Sequence, residues 1–294
     1  MNHAANHQVI RLTRGLSATL LLCGISLFGM MAVSAAEPPD GALSEEACRT
    51  CHAGRDEALV DAWRESAHGG TPAVAGCSAC HGSDHAHVGV RARQDDACID
   101  CHGGPKAPVV HSYATSKHGL ILRLEQSEWD WRRPLRDAAY RSPGCAYCHL
   151  HGGEHDVGRS VRSDPMGPDR GGTVADHLRG VCQECHAPRY VTRLFDNGEK
   201  MLETGRMKVR EARRLLEEAA HRYDASTLAE GRALLATMQR HLRNVRLGVG
   251  HQSPDYQWWH GQPALDGDLL RLKGMLGALE RERRLPRTPT AERR

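Results

Sequence analysis

Aromatic side chains are scarce in this sequence. They make up 4% of its 294 residues, and phenylalanine occurs only twice. A chain of this size ordinarily builds its core from aromatic and branched aliphatic side chains. Too few are present to offset the conformational entropy that folding removes. The shortage therefore predicts little stable structure unless another apolar body fills the core.

Two further features are missing. No second membrane-spanning run follows the apolar segment near the N-terminus, and no basic stripe is interleaved with aromatic residues. The first absence leaves at most one candidate span. The second argues against nucleic acid as a partner. The net charge of +3 is small, and Arg11 and Arg14 in the N-terminal segment supply two of these charges. The rest of the chain is therefore nearly neutral.

Cysteine, by contrast, is abundant and regularly placed. Ten of the eleven cysteines fall into five copies of the pattern Cys-x-x-Cys-His. This pattern is typical of c-type haem attachment. The two thiols reach both vinyl groups of one porphyrin, and the adjacent imidazole reaches the iron. The attachment cysteines are Cys48 and Cys51, Cys77 and Cys80, Cys98 and Cys101, Cys145 and Cys148, and Cys182 and Cys185.

The five motifs predict five covalently bound haem c groups. A disulfide framework or a structural zinc site also uses paired cysteines, but neither needs a histidine after every second cysteine. Porphyrins are large apolar bodies, so five of them would supply the core that the side chains lack. The predicted proximal ligands are His52, His81, His102, His149 and His186.

Histidine is also abundant, and twelve residues remain after the five proximal ones and two near the N-terminus. The simplest role for these is distal ligation, which gives bis-histidine, low-spin haems that transfer electrons. His68 and His118 follow an attachment motif at the same spacing, and His155 and His177 come next. We select His85 for the fifth place, with His87 and His251 as alternatives. If none of these serves, one iron is open and could do chemistry.

Residues 1–35 are typical of a cleaved signal peptide. Arg11 and Arg14 precede an apolar run, and Val33-Ser34-Ala35 supplies small residues for cleavage. The alternative is an uncleaved membrane anchor, since the run approaches spanning length. We expect export to the periplasm.

The remaining chain divides by composition. Residues 36–196 carry every motif and many glycine and proline joints, which predicts short helices and loops that wrap five haems. Residues 197–285 have no motif and show the apolar periodicity of long amphipathic helices. Residues 286–294 are expected to be disordered. The predicted fold class is therefore mainly α, with almost no strand.

Four stretches between Cys77 and about Trp259 match a known family in order and approximate spacing, and the last contains no haem motif. They are residues 92–94, residues 113–119, residues 145–149 with 155–159, and residues 253–256 with 259–261. On these stretches the chain resembles the hydroxylamine oxidoreductase family of multihaem cytochromes. The resemblance implies a mainly helical fold, closely packed haems, long C-terminal helices and a homo-oligomer, which in this family is a trimer.

The sequence departs from that family in two ways. The family enzymes carry eight haems, and this chain has five motifs. Family oxidases also have a distal Asp-His pair after the motif that corresponds to Cys98, and Lys106-Ala107 stands there in this chain. Tyr256 argues the other way, because the family's tyrosine at this position cross-links to a neighbouring subunit's catalytic porphyrin. The alternative is that Tyr256 packs with Trp258 and Trp259.

These observations predict a pentahaem cytochrome that transfers electrons to and from redox partners such as other cytochromes or quinone-linked enzymes. The alternative is an oxidoreductase that acts on hydroxylamine or nitrite at one open haem, with Tyr256 as its candidate catalytic residue. The feature that separates the two is whether one iron lacks a distal ligand.

Overall fold

A computed structural model of the chain describes residues 42–70, 72, 75–134, 141–157 and 172–285, without the side chains of 172–177. The predicted signal peptide (1–35), the C-terminal tail (286–294) and the side chain of His177 lie outside this description. Within the described ranges the structure is helical, and its β pairing is limited to one isolated bridge between Ala42 and Asp84. The mainly α fold class is confirmed.

Short helices occupy the part of the chain that carries the haem motifs. Two motifs form five-residue helices that begin directly after Gly76 and Gly144. Gly82 ends the first of these helices with a φ of 73°, a left-handed conformation that favours glycine. The short helices are α1 (Glu45–Ala53), α2 (Glu57–Glu65), α3 (Cys77–His81), α4 (Val88–Arg93), α5 (Asp96–Ile99), α6 (Pro108–Ala114), α7 (Lys117–Glu125), α8 (Cys145–His149) and α9 (Gly172–Gln183).

Long helices follow, as the apolar periodicity predicts. They are α10 (Pro188–Ala220), α11 (Ala229–Gly250) and α13 (Gln262–Arg284), with the short α12 (Pro254–Trp258) between the last two. Helix α10 begins ahead of residue 197, where the composition changes, because Pro188 fits the first helical turn. With 33 residues, this helix is about 50 Å long.

The three long helices share one apolar core. Buried side chains recur every three or four residues and face one another across the bundle. Gly231 lets two helices approach closely, since a Cβ there would lie 2.7 Å from Leu216 Cδ2. In the described part of the chain, no helix combines the length and apolar character needed to cross a membrane. The core residues are Val209, Ala212, Leu216, Met238, Leu242, Val245, Leu265 and Leu272.

Candidate haem centres

All ten motif cysteines are free thiols in the structure. None is tied into a disulfide, so each remains available for a thioether bond to a porphyrin vinyl group. The arrangement fits haem attachment and offers no support for a disulfide framework.

Histidine rings meet in pairs around four of the five motifs. Iron–nitrogen bonds of about 2 Å on the two faces of a porphyrin would place the centres of two imidazole rings about 6 Å apart. Four ring pairs that contain a motif histidine have nearly this separation. The pairs are His81–His155 at 6.1 Å, His68–His102 at 6.0 Å, His149–His251 at 6.4 Å and His118–His186 at 6.0 Å.

These pairs assign distal candidates to the second, third, fourth and fifth motifs. His155 lies opposite the proximal histidine of the second motif, and His68 opposite that of the third. His251 lies opposite the fourth, and His118 opposite the fifth. The residues present therefore fit iron porphyrins at four places.

Hydrogen bonds leave the Nε2 atoms of several of these rings free for iron. The Nδ1 of His81 is 3.2 Å from the Val88 carbonyl, and the Nδ1 of His155 is 2.7 Å from the Gly153 carbonyl. A carbonyl oxygen only accepts, so each Nδ1 donates and the ligating tautomer is fixed.

His251 is the distal candidate that the sequence ranked behind His85. It caps the end of α11, and its Nδ1 lies 2.7 Å from the Ser112 Oγ on α6. Burial, with His149 adding to the effect, lowers the pKa of His251 to about 4. The imidazole is therefore neutral at physiological pH, as an iron ligand must be. Because His251 is far along the chain from every motif, the sequence did not rank it first as the fifth distal candidate.

His52 of the first motif differs from the other proximal histidines. Among the histidine rings that the structure describes, none lies opposite it. His85 is half-buried and makes no histidine ring contact within the described ranges, and the His87 Nδ1 is 2.8 Å from Asp84 Oδ2. Burial lowers the pKa of His81, and the nearby His155 and His52 lower it further. The first and second motifs are thus close neighbours.

The distal candidates His68 and His118 each lie in a turn of the same kind. The buried Ser116 Oγ accepts from the Gly119 amide at 3.1 Å, and the buried Ser66 Oγ accepts from the Gly69 amide at 3.3 Å. The glycine that follows each histidine passes close to backbone. A Cβ at Gly119 would lie 2.3 Å from the Tyr113 carbonyl oxygen. The turn therefore excludes any side chain at this glycine.

Replacing Gly119 with alanine is expected to displace His118 and to open the iron of the fifth motif in part of the molecules. The added methyl group would overlap backbone, which has no flexible end to move aside. Electron paramagnetic resonance should show a new high-spin signal. The matched control is Gly274→Ala, because a Cβ at that helical glycine meets nothing within 4 Å. Equal spectra for the two variants would contradict the proposed turn.

Two carboxylates link neighbouring motifs through hydrogen bonds to helix N-termini. Glu45 accepts from the amides of Cys77 at 2.8 Å and Ser78 at 2.7 Å, at the N-terminus of α3. Asp95 accepts from the Cys145 amide at 2.7 Å, at the N-terminus of α8. Carboxylates are favourable there because helix N-termini carry unpaired amides and partial positive charge. Each acid lies just ahead of one motif and caps the helix of the next.

The thiols of each motif lie close to the thiols of the next motif along the chain. Burial raises the pKa of Cys77 to about 11, and Glu45 and Cys48 of the first motif add to the shift. Burial raises the pKa of Cys80, and the nearby Cys98 and Cys101 raise it further.

The same neighbourhood continues to the last motif. The hydrogen bond between Cys145 and Cys98, together with burial, raises the pKa of Cys145. Burial raises the pKa of Cys148 to about 12, with Cys182 the next largest cause. Each of the five motifs is therefore a spatial neighbour of the motif before or after it in the chain.

Tyr256 contacts two further histidines, His111 and His260, whose own ring centres are 6.5 Å apart. Its ring centre is 5.7 Å from that of His111 and 5.1 Å from that of His260, and it is 5% exposed. Trp258 and Trp259 are instead 57% and 78% exposed. The aromatic packing of Tyr256 is thus with two histidines. Its role as a catalytic residue stays a prediction.

Comparisons with known proteins agree with this geometry. A stretch of 95 residues is 35% identical to a probable nitrite reductase-hydroxylamine oxidoreductase fusion protein of Kuenenia stuttgartiensis. That stretch covers 28% of this chain and 11% of the fusion protein, so the match spans only a small part of that curated relative's length.

Two solved structures share the fold. A Kuenenia stuttgartiensis reducing HAO-like protein complex matches with a TM-score of 0.51 and 16% identity, over 81% of this chain and 85% of the other. A hypothetical multiheme protein matches with a TM-score of 0.53 and 16% identity, over 71% and 59%. The resemblance inferred from the sequence is confirmed.

A family model described as "Seven times multi-haem cytochrome CxxCH" matches residues 73–231, more than half of the chain. Covalently bound haem c follows from this match and from the free, paired thiols. The chain belongs to the CxxCH multihaem cytochromes.

Proposed function

We propose that the chain is a periplasmic pentahaem cytochrome whose function is electron transfer. The observation that carries this proposal is the set of four histidine ring pairs 6.0–6.4 Å apart. An iron with a histidine on both faces has no site for a substrate and is suited to outer-sphere electron transfer. When bound, haem c supplies one-electron chemistry. The paired histidines would hold haem from both faces at four of the five motifs, and successive motifs lie side by side.

The Cys98 motif, after whose counterpart family oxidases have their Asp-His pair, supports electron transfer over catalysis. His68 lies opposite His102 there, on the side where a substrate would bind. Lys106 is exposed and Ala107 precedes α6, where family oxidases have their Asp-His pair. General acid–base groups contribute typically about a hundredfold to ten-thousandfold in rate. We therefore propose that hydroxylamine oxidation at this haem is weak or absent.

Location and partners complete the proposal. The N-terminal residues support export by a cleaved signal peptide, and c-type haem is compatible with the periplasm. The names of the two relatives from Kuenenia stuttgartiensis support redox proteins of nitrogen metabolism as partners. Tyr190, Met207 and Leu270 are exposed apolar residues on the long helices, and they support self-association through this region, a trimer if the family's assembly is kept.

Mass and turnover test the proposal together. We expect the protein purified from periplasm to have the mass of the processed chain plus five haem increments. We also expect its steady-state oxidation of hydroxylamine with an artificial acceptor to be at least a hundredfold below that of a family oxidase. A mass lacking five increments contradicts the pentahaem assignment. Turnover equal to that of the oxidase contradicts the electron-transfer assignment.

One observation favours a second function. His52 has no histidine ring opposite it among those described, so the first haem is the place where the alternative, chemistry on a small nitrogen compound, would occur.

A further inference from the structure

Two segments of the chain repeat the same structural parts. Residues 45–69 and 95–119 have the same kinds of residue at the same spacing, although the two sequences otherwise differ. Each has an acid, a Cys-x-x-Cys-His motif, a large aromatic residue and a Ser-x-His-Gly turn. The matched residues are Glu45 and Asp95, Cys48 and Cys98, His52 and His102, Trp63 and Tyr113, Ser66 and Ser116, His68 and His118, and Gly69 and Gly119.

The contacts repeat as well as the residues. Trp63 Nε1 donates to the Ala75 carbonyl at 3.0 Å, two residues before the second motif. Tyr113 Oη donates to the Pro143 carbonyl at 2.9 Å, two residues before the fourth motif. Together with the caps from Glu45 and Asp95, these bonds define two copies of one two-haem unit. The first unit contains motifs one and two, and the second unit contains motifs three and four.

The two units supply distal ligands in a staggered order. His68 belongs to the first unit but lies opposite His102, the first proximal histidine of the second unit. His118 belongs to the second unit but lies opposite His186 of the fifth motif, which comes next. In both cases the histidine of the Ser-x-His-Gly turn lies opposite the proximal histidine of the first motif after its own unit.

The same order has a consequence for the first motif. Its ligand would have to come from ahead of the first unit. The histidines of this sequence before residue 42 are His3 and His7, and both lie in the predicted signal peptide. The structure is consistent with this, since none of the histidine rings it describes faces His52.

We propose that the haem bound through Cys48, Cys51 and His52 takes its sixth ligand from outside the chain. The ligand class is a small molecule or anion that coordinates through nitrogen, oxygen or carbon. This inference rests on the proposed function only in requiring that all five haems are attached. It assigns the open site to the first motif, not to the Cys98 motif.

Carbon monoxide is the probe for the reduced holoprotein. Titration followed by the Soret band should show one carbon monoxide bound per five haems, because four irons are closed by histidine. The ferric protein should bind one azide with loss of one high-spin signal. Five haems by mass with no binding of either probe would overturn the inference and leave the pentahaem assignment intact. Fewer than five haems would overturn both.

Two sets of variants locate the probe. Cys48→Ala with Cys51→Ala should yield four haems by mass and no carbon monoxide binding. If binding persists in that variant, the open iron is elsewhere and the inference is wrong. Should that variant fail to accumulate, His85→Ala, His87→Ala and His177→Ala, made singly, decide the matter by carbon monoxide titration. Unchanged stoichiometry in all three supports the inference. A rise by one in any of them identifies an internal ligand and overturns it.

Discussion

Replacing His68 with alanine is expected to open the iron held by His102. The two ring centres are 6.0 Å apart, so removal of the His68 imidazole leaves one face of that haem without a protein ligand. Electron paramagnetic resonance should show one additional high-spin haem, and carbon monoxide stoichiometry should rise by one per protein. The matched control is His87→Ala, because the His87 side chain is 62% exposed and pairs with Asp84. If both variants match the parent, His68 is not a ligand.

The same variant tests why this haem would not oxidise hydroxylamine. Opening the iron restores a binding place but not a base, since Lys106 and Ala107 stand where family oxidases have Asp and His. His68→Ala alone should therefore bind hydroxylamine with little turnover. Adding Lys106→Asp and Ala107→His should raise turnover by about a hundredfold or more, within the usual contribution of general acid–base groups. Equal turnover in the two variants would show that proton transfer is not what this site lacks.

Replacing Leu265 with alanine is expected to destabilise the long-helix bundle by about 2–5 kcal/mol, the usual cost of a leucine-to-alanine cavity. Leu265 is fully buried on α13 among residues of all three long helices. Urea unfolding followed by far-ultraviolet circular dichroism measures the loss. Leu270→Ala is the matched control on the same helix, because Leu270 is 70% exposed. That control should change stability by no more than about 0.5 kcal/mol.

The contrast between these two leucines is what tests the core. If both substitutions lower the unfolding free energy equally, the packing of α13 differs from that described. The haem absorption spectrum of Leu265→Ala should match the parent, since the substitution leaves the described axial histidines in place.

Much of the fold could be predicted from the sequence, because its signals are local. Five Cys-x-x-Cys-His motifs define the cofactor, and the apolar periodicity after residue 197 predicts long helices. The precise start of α10 depends on Pro188, which composition alone does not single out as a helix start. The repeated Ser-x-His-Gly turn could also be recognised, and it singled out His68 and His118.

The axial pairing could not be predicted, because it is decided by contacts between distant parts of the chain. His68 passes over the second motif to meet the third, and no spacing rule signals this. His251 contacts His149 although α10 and α11 separate the two residues in the chain, because these two helices pack against each other and return the chain to the fourth motif. Its role depends on the Ser112 hydroxyl of α6, a residue with no signal in the sequence. The abundance of histidine predicts distal ligands, but it does not match each distal histidine with its proximal partner.

The staggered pairing also sets the order in which the haem irons gain their distal histidines during the proposed export. A chain that crosses the membrane N-terminus first presents His68 and His118 before the motifs they serve, so those two irons can be closed as soon as they are bound. The second and fourth motifs emerge before His155 and His251, and their irons must wait. His251 is the last of the paired histidines to arrive, and it does so only after α10 and α11 have passed. On this order the fourth haem would be the last of these four to be closed, and one face of its iron would lack a protein ligand until His251 arrives.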